Sequence, residues 1–317
     1  MKKALFIVAA LTTTLTASAQ KADTARLIVH YKFSHIRDTT QRDKPYTENM
    51  VLFAGQNASV YKSYDRNVQN ALMKKQIEEQ VAAQKGSGNM RINISNRVPT
   101  SNAEYYIFNV DGKLIDKENL IATAYLIEQP IPKINWTITG DTSTIGGLHC
   151  QKATGPFKGR DYTVWFAPDV PFHVGPWKLN GLPGLIVDAH DKKNEVIFKF
   201  DSMEEATPAA KVHATVTNAA PGAKLFDVAD GNADPNVIAV PVNAVKTTQK
   251  EFDKLSEAMR KDPQGFMKSA MGSSGGSFSP RPDGAGHASG LGAITSVNIV
   301  AGPRAAVNNP IELPEKP

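Results

Sequence analysis

Asp188-Ala189-His190-Asp191 places three ligand-type side chains within four residues. In an extended chain alternate side chains share a face, so Asp188 and His190 could hold a divalent cation with a third ligand from a distant group such as His173. The same residues also fit a solvated turn, His190 to Asn194, between the apolar runs Leu185 to Ala189 and Val196 to Phe200. Cys150 is the chain's one cysteine, with His149 beside it. Neighbouring strand residues point to opposite faces, so this thiol and imidazole cannot act as nucleophile and base or chelate one ion. The expectation is a buried, inert thiol. Gly272-Ser273-Ser274-Gly275-Gly276 has the spacing of a nucleophile elbow. That device needs a strand entering and a helix leaving, whereas the match here lies in a glycine and serine tract. H-E-x-x-H, C-x-x-C, phosphate-loop and EF-hand signatures are absent from the sequence.

Recognition chemistry is suggested by Arg160, Tyr162, Trp165, Trp177 and Lys178, the densest mixture of aromatic and cationic groups in the chain. Of these, Arg160, Trp165 and Trp177 are the candidate ligand-binding residues. If Trp165 and Trp177 meet, they make an apolar wall with polar tips, the usual composition of a small-molecule pocket. Alternation puts Arg160, Tyr162, Val164 and Phe166 on one strand face and Asp161, Thr163 and Trp165 on the other. Core packing accounts for the same residue types.

The elements that must position these groups are mostly strands. Ala25 to Phe33 alternates Leu27, Val29, Tyr31 and Phe33 against Ile28, His30 and Lys32, the period of a half-buried strand. Further runs follow at residues 50–53, 58–62, 90–94, 104–110, 113–116, 121–127, 134–139, 148–154, 161–166, 185–189, 196–200, 211–217 and 237–240. Asp111-Gly112 marks a hairpin. The pattern predicts a mainly β fold, a curved antiparallel sheet or half-barrel with one or two helices packed on it. The first helix is expected from a cap at Asp65 to about Gln84, with a stripe of Val68, Leu72, Ile77 and Val81 and Gly86 as terminator. Near the other end Thr248 to Glu251 reads as a capping box before Phe252, Leu255 and Met259, and Asp262-Pro263 opens a further short helix.

Gly181-Leu182-Pro183-Gly184-Leu185-Ile186 joins turn residues to bulky apolar ones. Pro183-Gly184 fits the centre of a type II turn, which predicts positive φ at Gly184 and a corner feeding the next strand. With the blocks Trp136 to Ile138, Gly147 to Ala153, Phe157 to Phe166 and Gly175 to Leu179, this run resembles the GLPGLI family of exported Bacteroidetes proteins. The strand carrying Tyr31 and the ending Asn309 to Leu313 also fit. The resemblance implies an exported β-rich domain without assigning it an activity. The order of blocks is also similar to exported half-barrel proteins that carry lipid or lipoprotein, an analogy at the level of fold.

MKKALFIVAALTTTLTASAQ opens with Lys2 and Lys3, an apolar run and Ala17-Ser18-Ala19, the pattern of a secretory signal peptide over residues 1–19. The apolar run is too short to span a bilayer, so the mature chain is expected to have no transmembrane segment. Loss of the two lysines takes the net charge from +5 to +3, a balance that argues against nucleic acid as a partner. Residues 20–271 are expected to form one domain and 272–317 a flexible Gly/Ser/Pro-rich tail, with 294–300 and Pro310 to Leu313 as short reattachments. The reading is an exported, non-enzymatic binding or carrier protein of the periplasm or outer membrane. Its expected partner is an envelope lipid, a peptide or an outer-membrane protein, and no cofactor is called for. The alternative is a secreted metal-binding protein or metal-dependent hydrolase using His173, Asp188 and His190.

Overall fold

The computed structural model describes residues 22–84, 89–94, 98–121, 123–207, 236–263, 265–266, 293–299 and 307–315. Period-two alternation dominates the chain and produces strands in long antiparallel succession. β1 (Asp23–Thr24), β2 (Leu27–His35), β3 (Tyr46–Ala54) and β4 (Ala58–Ser63) precede helix α1 (Tyr64–Ala83) and β5 (Asn89–Ile94). Then come β6 (Glu104–Phe108), β7 (Lys113–Leu120), β8 (Thr123–Pro130), β9 (Thr137–Ile145), β10 (Leu148–Phe157) and β11 (Arg160–Ala167). β12 (Leu185–Asp191), β13 (Val196–Glu205), β14 (Val237–Ile238), β15 (Val245–Thr247), α2 (Gln249–Lys261) and β16 (Ala293–Ile299) complete the order.

Twelve of these strands form one sheet in the order β15-β8-β7-β6-β4-β3-β2-β13-β12-β11-β10-β9. Every pairing within it is antiparallel except β15 on β8. The sheet is mainly β in the expected sense and stays open, with β15 and β9 as its edges. β2 is its keystone, because its ladder with β13, from Val196↔His35 to Glu205↔Leu27, joins the early strands to the late ones. On the inner face Tyr31, Leu52, Tyr61, Val164, Phe166 and Phe198 belong to the main core. On the outer face Val60, Tyr106, Phe108, Ile115 and Leu126 form a second cluster with Ile238, brought there by the β1–β14 pair.

The helices differ in what holds them. α2 keeps its predicted capping box, Thr248 with Glu251, and seats Phe252 against Leu120 and Ile127 of β7 and β8. α1 starts two residues earlier than expected. Ser63, not Asp65, is its cap, while Asp65 accepts from the Asn49 backbone and side chain. None of its side chains is buried, so the apolar stripe is no core face. The Asp111-Gly112 signal lies in a four-residue connection, because Phe108 pairs with Lys113 and Gly112 donates to the Asn109 carbonyl. The signal peptide, the run 211–217, Gly86 and the tract 272–292 lie outside the described residues.

Gly184 has a φ of +147°, positive as its residue type predicts, yet the turn is not type II. The Gly184 N–H donates to the Leu182 carbonyl at 2.9 Å, a three-residue turn centred on Pro183. A β-carbon at Gly184 would lie 2.2 Å from the Ala167 carbonyl oxygen. Glycine is therefore required twice, for its backbone angle and for the close passage of the chain leaving β11. Gly184→Ala is expected to lower stability by about 3 kcal/mol through combined strain and overpacking, measured as the shift in urea-unfolding free energy.

Candidate functional site

Arg160 opens β11 with an inward-facing side chain, and its neighbours on the sheet supply the counter-charges. Its side chain is 2% exposed. Nη1 donates to Asp191 at 2.8 Å and to Glu195 at 3.3 Å. Asp191 and Glu195 bracket the turn between β12 and β13, and Asp191 is fixed by the Glu195 and Val196 backbone N–H groups. The other donors turn to the C-terminal segment, with Nη2 on the Asn309 side chain and the Pro310 carbonyl, and Nε on the Ile311 carbonyl. All five N–H groups are thereby used. His35 lies beside this cluster. Burial, with Arg37 and Arg160 nearby, lowers its pKa to about 4.

Residues 168–184, between β11 and β12, plug the inner face. Pro176 and Leu179 close a turn in which Trp177 has φ +56°, a left-handed conformation rare for a bulky side chain. The turn buries Trp177 and Lys178 together, with Trp177 1% exposed. Trp177 packs on Phe157, Tyr162 and Phe198. Lys178 bonds Asp116 of β7 at 2.6 Å and Glu312 of the C-terminal segment at 2.7 Å. Burial pulls the Lys178 pKa down, but the two carboxylates outweigh this and hold it above its ordinary value. Burial raises Asp116 despite Lys178. On the same strand face Glu118 is raised to about 7 by burial first and by Asp116 second.

Between these two clusters lies a cavity of about 40 Å³, lined by Phe33, Met50, Tyr61, Ser101, Ala103, Tyr105, Trp177, Phe198 and Ile311. The Tyr61 hydroxyl is buried without a hydrogen-bond partner. The Trp177 indole N–H faces the Tyr105 hydroxyl at a geometry short of a hydrogen bond. Burial raises the pKa of Tyr61 and of Tyr105 well above the phenol range, so both remain donors at any physiological pH. Glu48 beside them is fully engaged by Ser63, Ser101 and Tyr46.

The structure separates the candidate ligand residues. Trp177 reaches the cavity, and Arg160 is consumed by the cluster that anchors the C-terminal segment. Trp165 is only partly buried and lies on the opposite strand face from Tyr162 and Val164, so it does not meet Trp177. Asp188 and His190 share a face of β12, as alternation requires, and burial raises the Asp188 pKa against the opposing effects of the Phe200 N–H, Lys199 and, least, His190. Asp188 is occupied as an acceptor for the Phe200 N–H. His173 is exposed in the plug, and among the described residues no three metal-ligating side chains converge. Cys150 is fully buried, and burial raises its thiol pKa. The Gly272 to Gly276 elbow spacing lies outside the described residues.

Residue types singled out Lys178 and Asp191 in other roles, but not Asp116, Glu118, Glu195 or Asn309 as their neighbours in the site. Their signal was available in part. Asp116 and Glu118 alternate with apolar Ile115 along β7, and Asp191 and Glu195 flank an exposed Lys-Lys-Asn turn. Partners 130 to 150 residues away in the chain have no local signature.

No family model matches the chain, and no curated protein matches it. Two solved structures of PNGF-II, in P21 and C2 crystal forms, are similar over 73% of this chain at 11% identity and a TM-score of 0.43. This chain covers 32% of theirs. A likeness of that size shows neither a shared fold nor a shared activity. No helix among the described residues is long and apolar enough to cross a membrane.

Arg160→Ala leaves Asp191 buried without its cation and Glu195 with Arg42 alone, and is expected to cost about 3–5 kcal/mol in denaturant unfolding. Two titrations act in opposite directions. His35 stays neutral in the fold while an unfolded chain takes up the proton, so its contribution destabilises as pH falls from 6.5 to about 4. Glu118 keeps a proton that the unfolded chain has released, so its contribution destabilises as pH rises from 4.5 to about 7. In urea titrations H35Q should therefore gain on the wild type at pH 4.5 relative to pH 7.5. E118Q should gain at pH 8 relative to pH 4.5.

Proposed function

We propose that this is an exported, non-enzymatic binding protein of the bacterial envelope, of the GLPGLI type, whose inner-face cavity holds an apolar group bearing a hydrogen-bond acceptor. The buried Tyr61 hydroxyl without a partner carries this reading. An unpaired buried hydroxyl costs about 1–3 kcal/mol, and an acceptor on a ligand recovers it. Aromatic and aliphatic walls around a few convergent donors are the composition of a binding pocket. Trp177 supports the same reading, since a left-handed bulky residue is retained where the surrounding structure enforces it, often at ligand clamps.

Size selects among the partners. A water requires about 10–15 Å³ of such volume, so about 40 Å³ accommodates a few heavy atoms. That is room for one small side chain or the end of a chain, and too little for a whole acyl tail. A peptide or a segment of an outer-membrane protein fits better than a lipid carried whole. Electrostatics agree with a neutral group, because Glu48 beside Tyr61 is engaged and the donors lining the cavity are uncharged.

Native mass spectrometry of protein purified from its own envelope is the direct measurement. A peptide or small organic species should co-purify with the wild type and be retained about tenfold less by Tyr61→Phe, with folding stability unchanged or improved by loss of the idle hydroxyl. A bare wild-type chain, or equal retention by both, would refute the cavity as the binding site.

A further inference from the structure

Residues 307–315 sit in the fold as a bound peptide sits in a receptor. They pair with no strand and are recognised by side chains and by backbone groups at their ends. Asn308 and Asn309 donate their N–H groups to the Arg37 carbonyl, and Leu313 donates to Lys158. The Asn308 side chain accepts from Thr39 and donates to Asp38. Asn309 is buried and donates to the Ile36 carbonyl and Glu195 while accepting from Arg160. Ile311 walls the aromatic cavity, and Glu312 pairs with Lys178 and Lys158. The groove is shaped to this backbone: a β-carbon on Gly159 would lie 2.6 Å from the Pro314 carbonyl oxygen.

Two receptor cations of these contacts, Arg160 and Lys178, are also held by groups that do not belong to the segment. Asp191 and Glu195 orient the Arg160 guanidinium, Arg42 pairs with Glu195, and Asp116 fixes Lys178. A site organised before its ligand arrives binds at a lower entropic cost than one that must be ordered on binding.

We propose that residues 307–315 are the exchangeable resident of a peptide-recognition groove, which also takes an extended Asn-Pro-apolar-Glu peptide from outside the chain. Departure of the segment removes Ile311 from the cavity wall, so occupancy of the groove gates the aromatic cavity. The gate rests on the cavity reading above, whereas peptide exchange does not. A failure of exchange leaves the cavity reading intact, and a bare chain in mass spectrometry leaves exchange intact.

A tethered segment competes at an effective concentration of about millimolar, so the test weakens the resident and leaves the groove untouched. A fluorescein-labelled peptide of residues 307–315 is titrated by anisotropy against the full chain and its N309A/E312A variant. The variant should bind the peptide at least tenfold more tightly than the wild type, and a peptide carrying the same two alanines should bind at least tenfold more weakly. A variant with native circular dichroism that shows no saturable binding overturns the proposal. If the variant does not fold, hydrogen exchange on the wild type decides. Amides of Asn308, Asn309 and Leu313 exchanging well before those of β2 and β3 support an openable segment, and exchange only with global unfolding overturns it.

Discussion

A guanidinium removed from water keeps its charge and five N–H groups, and the surrounding fold must answer both. At Arg160 two carboxylates neutralise the charge, and two carbonyls and an amide complete the donors. The requirement reaches far beyond one residue. It fixes where the β12–β13 turn must place Asp191 and Glu195, and it brings a segment some 150 positions later in the chain back onto β11. Because a half-satisfied cluster of this kind costs more than an apolar core, the cluster requires an occupant that supplies these acceptors, and in this structure the C-terminal segment does so.

A second, smaller constraint works through the plug between β11 and β12. Consecutive residues on a strand would point Trp177 and Lys178 to opposite faces. The left-handed backbone at Trp177 buries both, one into the aromatic core and one against Asp116 and Glu312. The Pro183-Gly184 corner returns the chain to β12 under the Ala167 carbonyl, where no side chain fits. The residue types of this stretch thus answer to geometry at the corner, and its chemistry lies a few residues earlier, at Trp177 and Lys178.

The cavity sits where these constraints meet. Its walls come from strands distant in sequence, from the plug and from Ile311. Asp116 and Glu118 show how far context overrides residue type. The predicted run 113–116 ends at Asp116 and leaves Glu118 out, yet both lie inward on a β7 that extends to Leu120, and burial raises their pKa values. Trp165 shows the reverse. It looked like half of an aromatic wall, but alternation turned it to the other face.

Local pattern was sufficient for much of the fold. Alternation gave the strands and their inward faces, a capping box gave α2, and the Pro-Gly pair gave a positive φ at Gly184, because each of these is set by interactions within a few residues. The same local rules already implied that Cys150 and His149 could not cooperate. Pairing order was another matter. That β2 lies beside β13, that Arg160 meets Asn309, and that Lys178 meets both Asp116 and Glu312 depend on burial shared between segments that carry no mark of each other. Tertiary structure alone decided which charges would be desolvated together, since that energy exists only once the sheet has brought them out of water.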